Sequence, residues 1–69
     1  MTDRYIVRNR IGRKQIGDPH TTAGEAERAA LQWSKDSGYN VDVWLLDDAG
    51  MPKTKLAGAY RGKLKRTID

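Results

Sequence analysis

The sequence contains no cysteine and only one histidine, His20, among its 69 residues. Without cysteine the chain has no disulfide bond, no thiolate nucleophile and no zinc site built on cysteines, and a reducing compartment suits it. Its apolar runs are far shorter than the roughly 20 residues of a membrane-spanning helix. The polar first residues also lack the apolar segment of a secretion signal. We therefore predict a cytoplasmic protein with no membrane partner.

The residue combinations that catalysis requires are also scarce. A hydrolase or transferase needs a nucleophile with a base, paired carboxylates or a metal. His20 stands in a polar turn, and Asp42, Asp47 and Asp48 provide too few oxygen ligands for a calcium loop. The interval 12–17 has the glycines of a phosphate loop without its Lys-Ser/Thr. We predict no catalytic residue, no metal, no cofactor and no enzyme; a pocket holding His20 beside a carboxylate would favour the opposite.

Charge is distributed in three blocks along the chain. Residues 1–14 contain five Arg and Lys against one Asp, and residues 51–69 contain six against one Asp. Residues 15–50 contain two basic residues against seven acidic ones. Both ends are therefore basic and the middle is acidic. If the two ends lie side by side in the fold, they form one positive surface that attracts a polyanion or an acidic protein.

Two pairs of segments have the composition or alternation of β-strands. Residues 4–8 are rich in aromatic and β-branched side chains, and glycines after them predict a hairpin that returns through residues 13–16. Residues 40–46 and 53–61 alternate with period two around an Asp-Asp-Ala-Gly turn. The second pair is therefore predicted to form another antiparallel hairpin.

A helix is predicted between the two hairpins, from Ala23 to Ser37. Thr22 followed three residues later by Glu25 has the spacing of a capping box. Gly38 stands where a left-handed residue ends a helix. Small apolar residues and Trp33 recur at steps of three and four, which predicts one apolar stripe along the helix.

One helix packed across one face of an antiparallel sheet is the simplest way to bury both apolar surfaces. We predict a single α+β domain over residues 1–69, with three to four strands in ββαββ order. The basic residues 63–69 are predicted to be a tail that can fray. The predicted core consists of Val7, Ala26, Ala30, Trp33, Val41, Val43, Leu45 and Leu56.

The segment 22–30, T-A-G-E-A-E-R-A-A, resembles the helix start of a family of small uncharacterised bacterial domains. The resemblance continues through Lys35, Gly38, Val41, Val43 and the turn 48–50. It implies a hairpin–helix–hairpin fold without an assigned chemistry. Where such domains often have Gly-Gly-Trp, residues 12–14 are Gly-Arg-Lys. The build is also similar to small bacteriophage accessory proteins, including host RNA-polymerase inhibitors and anti-CRISPR proteins, which implies action by binding.

Alternation in the second hairpin predicts an aromatic and basic sheet face. If Val41 and Val43 face the helix, Trp44 lies on the opposite face with Lys55 and Arg61. Lys and Arg contact phosphates and an indole stacks on an exposed base, while Trp and Arg also dominate protein interfaces. Alternatively, the stems of Lys55 and Arg61, or the C-terminal tail, cover Trp44 as part of a small core.

The position of the first strand decides whether the cations form one surface. Arg4, Arg8 and Arg10 share a parity and project together from this strand. Next to the last strand they would form one positive field with four further cations, Lys53, Lys55, Arg61 and Lys63. At a distant edge they would form a separate patch that guards against strand-to-strand aggregation.

Together these patterns predict a non-enzymatic binding module that engages nucleic acid or a nucleic-acid-handling complex. The alternative is an inhibitor or adaptor of phage type that binds an acidic protein surface. We expect a monomer or a dimer formed through edge strands. The predicted contact residues are Arg4, Arg8, Arg10, Trp44, Lys55, Arg61, Lys63, Lys65 and Arg66.

Overall fold

A computed structural model describes residues 3–67 as a five-stranded antiparallel sheet with one helix packed on it. The α+β class and the ββαββ order are confirmed, with one further strand at the end. Positions 1–2 and 68–69 of the predicted domain lie outside the described residues. The elements are β1 (Tyr5–Asn9), β2 (Gln15–His20), α1 (Ala23–Ser37), β3 (Val41–Leu46), β4 (Pro52–Tyr60) and β5 (Lys63–Arg66).

The prediction of three to four strands is wrong, because residues 63–66 pair with β4 as a fifth strand. Arg61 and Gly62 connect the two strands with φ of 51° and 82°. Positive φ at both positions is the mark of a two-residue type I′ hairpin turn. Beyond β5, the Thr67 N–H donates to the Leu56 carbonyl at 3.0 Å. The part of the predicted frayed tail up to Thr67 is thus hydrogen-bonded, and 68–69 lie outside the described residues.

The strands follow one another in the sheet in the order β2-β1-β3-β4-β5. One of the two alternatives required the first strand to lie next to β4. That alternative is wrong, because β3 lies between β1 and β4. The central strand β3 pairs with β1 on one side and with β4 on the other. Side chains from β1 and β4 can consequently meet only across the surface of β3.

Local signals determine both ends of α1, whose predicted bounds are confirmed. The Thr22 hydroxyl accepts a hydrogen bond from the Glu25 N–H at 3.2 Å and so satisfies a free amide of the first turn. Gly38 ends the helix with φ of 75°, and its N–H donates to the Ser34 carbonyl at 2.9 Å. Glycine suits this left-handed position because it has no Cβ.

The core lies between α1 and the sheet and is made of small residues. The prediction that Trp33 belongs to it is wrong, because Trp33 is 39% exposed. Ser34 instead follows Ala26 and Ala30 along the buried stripe; its hydroxyl donates to the Leu31 carbonyl and accepts from the Gly62 N–H, both at 3.0 Å. Small side chains bring the helix close to the sheet. The buried apolar residues of the core are Val7, Ala26, Ala30, Val41, Val43, Ala57 and Ala59.

Leu45 and Leu56 of the predicted core are only partly buried, and Leu56 packs against the edge of this cluster.

The single helix of residues 3–67, α1, lacks the length and hydrophobicity of a membrane-spanning segment.

Candidate functional site

A β-bulge in β4 determines which side chains reach the outer face of the sheet, the face opposite α1. Val43 pairs with Ala57, but the next residue, Trp44, pairs with Lys55, so Leu56 is the extra residue. In a regular strand Lys55 and Ala57 would lie on the same face. The bulge instead keeps Ala57 in the core and places Lys55 beside Trp44 on the outer face.

A buried carboxylate on β3 brings together cations from both sides of this strand. Asp42 is 6% exposed, and its Oδ1 lies 3.1 Å from Arg10 Nη2 and 3.3 Å from Lys55 Nζ. Arg10 follows β1, whereas Lys55 belongs to β4. The two basic segments of the sequence therefore meet over β3, although their strands are not neighbours.

Gly58 provides the space for this cluster. It pairs with Asp42 on the outer face. A Cβ at Gly58 would lie 3.0 Å from Arg10 Nη2 and 3.3 Å from Asp42 Oδ1. Glycine within a strand often marks such a close approach of other groups. Because Gly58 has no side chain, the outer surface also has a depression at this point of β4, next to β5.

Trp44 is partly buried and is covered by an arginine. It pairs with Ile6, which is 3% exposed, and the Arg8 guanidinium carbon lies 4.8 Å from the centroid of the indole. This distance is typical of a cation–π contact. The indole N–H is buried and has no hydrogen-bond partner among the described residues. Trp44 therefore supports the outer face, with Arg8 stacked on its ring and Lys55 as its neighbour on β4.

A groove of about 960 Å³ is lined by residues of β4 and β5, from the outer face round to the free edge of β5. Gly58 is in its lining, and Tyr60, which is 46% exposed, also contributes to it. Across residues 3–67, no carboxylate contributes to this lining. We call this feature the basic groove; its cationic residues are Arg10, Lys55, Lys63, Lys65 and Arg66.

The lysines of β5 are the least compensated cations of the basic groove. Lys65 pairs with Gly58 and Lys63 with Tyr60, so both lysines lie on the outer face. In the described part of the chain, neither ammonium has a carboxylate oxygen within 4.0 Å. Arg66 differs, because it pairs with the core residue Ala57 and so projects to the α1 side of the sheet, where its Nε lies 3.2 Å from Glu27 Oε2.

Four predicted contact residues, Trp44 among them, lie outside the lining of the basic groove. Arg8 covers Trp44, as described above. Arg61 was predicted to belong to the last strand, but it lies in the turn before β5, with its guanidinium carbon 5.1 Å from the Tyr60 ring centroid. Arg4 precedes β1, is exposed, and accepts a hydrogen bond from the Leu46 N–H through its carbonyl at 2.9 Å.

Sequence reasoning missed Asp42, Gly58 and Tyr60 as members of the site. The sequence indicates Asp42 only as a candidate cation ligand, and within residues 3–67 no group of three or more His, Cys, Asp or Glu is arranged to hold a metal ion. Gly58 and Tyr60 share a parity, which would have placed them together. Their common face with Lys55 depends on the bulge, which alternation alone does not reveal.

Comparisons with protein-family models, with curated proteins and with solved structures gave no match. The resemblance to small bacterial hairpin–helix–hairpin domains and to phage accessory proteins therefore stays a prediction.

Proposed function

We propose that this protein is a non-enzymatic, cytoplasmic binding module that holds nucleic acid in the basic groove. The observation that carries the proposal is the lining of the groove, which combines the outer-face cations Arg10, Lys55, Lys63 and Lys65 with an exposed tyrosine and, among residues 3–67, no carboxylate. Lys and Arg side chains bind phosphates largely without regard to sequence. The groove therefore suits a phosphate backbone.

The cations of the groove have different roles in this proposal. Lys63 and Lys65 contact phosphates directly, because both are exposed on the outer face. Asp42 holds Arg10 and Lys55 at the other side of the groove, where their side chains remain 49% and 33% exposed. Trp44, with its N–H buried, packs beneath this surface. Arg4, Arg8 and Arg61 add to the positive field that attracts the polyanion.

Removing the two lysines of β5 tests the proposal. The variant Lys63→Gln/Lys65→Gln is compared with Lys14→Gln/Lys53→Gln, which removes the same charge at exposed lysines outside the lining of the basic groove. Binding of a fluorescent oligonucleotide of mixed sequence is measured by anisotropy at several salt concentrations. The slope of log K against log salt should lose roughly 1 to 2 in magnitude in the first variant, since two phosphate contacts are lost.

At low salt the affinity of the first variant should fall by at least about tenfold. The control pair should keep nearly all of the slope. Equal losses in the two variants would show that total charge, and not the groove, governs binding. If the wild-type protein fails to bind any oligonucleotide at low salt, the proposed function is wrong.

A further inference from the structure

An exposed aromatic ring, that of Tyr60, lies among the cations of the basic groove. Tyr60 is 46% exposed, and the Arg61 guanidinium carbon lies over one face of the ring, 5.1 Å from its centroid, which leaves the other face for a base. In a duplex the flat faces of the bases are stacked inside the helix, and only base edges are accessible in the grooves. An exposed ring can stack only on a base that is unpaired.

The distance between the two lysines near Tyr60 suits the phosphates of single-stranded nucleic acid. Tyr60 and Lys63 are directly opposite each other on β4 and β5, which places their Cβ atoms about 5 Å apart. Lys63 and Lys65 are two residues apart on β5, so their Cα atoms are about 6.8 Å apart. This distance is comparable with the separation of neighbouring phosphates in an extended strand. One nucleotide can thus place its base on Tyr60 and its phosphate at Lys63, with the next phosphate at Lys65.

The opposite side of the groove completes this arrangement. Arg10 and Lys55 are held by Asp42, and Gly58 leaves the space between them and β5 without a side chain. A strand with splayed bases can enter such a gap, whereas a duplex contacts the rim with its backbone alone. We infer that the basic groove binds single-stranded nucleic acid, with one unpaired base stacked on Tyr60 and successive phosphates on Lys63 and Lys65. This inference rests on the proposed function.

The test uses three ligands of equal length with the full-length protein. They are a twelve-nucleotide single strand, the same strand in a duplex, and an abasic oligomer that keeps the phosphates without bases. Wild-type protein should bind the single strand about tenfold more tightly than the abasic oligomer, as expected for one stacked base. It should also prefer the single strand to the duplex. DNA and RNA versions of the single strand show which sugar is preferred.

Tyrosine variants locate the stacking position. Tyr60→Leu should weaken binding of the single strand about tenfold and leave binding of the abasic oligomer unchanged, while Tyr60→Phe keeps the ring and the affinity. Tyr39→Leu is the matched control, because Tyr39 is 62% exposed and lies in a separate depression beside Ile11. It should bind all three ligands as wild type does.

The possible results separate the inference from the proposed function. Equal binding of the single strand, the duplex and the abasic oligomer would overturn the inference and leave nucleic-acid binding intact. A single-strand preference that survives in Tyr60→Leu would also overturn it, because the base would stack elsewhere. Absence of binding to all three ligands would contradict the proposed function itself.

Discussion

The two faces of the sheet are built from the same strands but differ in the residues they carry. On the inner face, Val7 and Val43 are fully buried under Ala26 and Ala30 of α1, and no charged group takes part in this cluster of the described residues. On the outer face, Asp42 is buried but its cationic partners stay exposed by a third to a half. Burial of apolar surface stabilises the fold. Partly solvated ion pairs contribute little to stability, and the exposed parts of the two cations stay accessible to a ligand.

The largest expected effect belongs to the inner face. Ala30 is fully buried where α1 approaches the sheet. A leucine there overpacks the layer, so Ala30→Leu should lower the free energy of unfolding by about 1 to 3 kcal/mol. Urea denaturation followed by circular dichroism measures this loss. Oligonucleotide affinity, measured where the variant is still folded, should equal that of wild type.

Gln32→Leu is the control for Ala30→Leu, because Gln32 is exposed on α1. Its free energy of unfolding should change by no more than about 0.5 kcal/mol. A large loss of affinity in folded Ala30→Leu would show that the two faces are coupled and would remove the contrast between them.

The carboxylate of the outer face should influence stability and binding in opposite directions. Asp42→Asn leaves Arg10 and Lys55 without their negative partner. Because both cations are partly solvated, the free energy of unfolding should fall by only about 1 kcal/mol. Affinity for an oligonucleotide should rise, by up to roughly fivefold, because less of the positive charge is neutralised.

Thermal unfolding and anisotropy on the same samples measure the two effects of Asp42→Asn. Asp48→Asn is the control, since it removes one negative charge from an exposed turn. Its affinity should rise less than that of Asp42→Asn. If Asp42→Asn weakens binding instead, the position of Arg10 and Lys55 matters more than their free charge.

The parts of the fold that local signals determine could be predicted from the sequence. Thr22 and Gly38 define both ends of α1 because each acts on its own turn. The fifth strand could not be predicted, since residues 63–66 contain a single apolar side chain and the turn Arg61-Gly62 lacks the usual Asn-Gly. Pairing with the backbone of β4 supplies what the composition of β5 lacks.

Close packing also decides which residues of α1 are buried. The spacing of the apolar stripe suits both Trp33 and Ser34, and hydrophobicity alone favours Trp33. The observed close approach of helix and sheet admits the small Ser34, whose hydroxyl is hydrogen-bonded. A buried indole at this place would hold α1 away from the sheet.

The candidate site was predictable only up to the bulge. Alternation placed Trp44 and Lys55 on one face, and the register of β3 and β4 agrees. The same alternation extended to Arg61 does not hold, because the extra residue, Leu56, reverses the parity of everything beyond it. A glycine within a strand, such as Gly58, can indicate a bulge or a close approach, but only the pairing with β3 shows which residue is extra. The sequence therefore did not predict Gly58 and Tyr60 as members of the site.

The smallest expected effect on stability belongs to Gly58, and it tests the contrast between the faces most closely. The backbone at Gly58 is outside the left-handed region, so alanine is allowed there. The new Cβ would lie 3.0 Å from Arg10 Nη2, at the far end of a long side chain, and 3.3 Å from Asp42 Oδ1. Both groups must shift slightly. Alanine also reduces the entropy of the unfolded chain, which favours folding by about 0.4 to 1 kcal/mol. Gly58→Ala should thus change the free energy of unfolding by less than about 1 kcal/mol.

Affinity for a single strand should nevertheless fall in Gly58→Ala, by roughly threefold, because the methyl group fills the groove and displaces a phosphate-binding cation. Gly24→Ala in the first turn of α1 provides the control, as no heavy atom lies within 4 Å of its new Cβ and alanine lowers the entropy of the unfolded chain. It should unfold at higher denaturant concentration and bind like wild type. A loss of more than about 2 kcal/mol in Gly58→Ala would mean that the Arg10–Asp42 pair is as tightly packed as the inner face. The outer face would then be a second core, and its cations would not be free to bind.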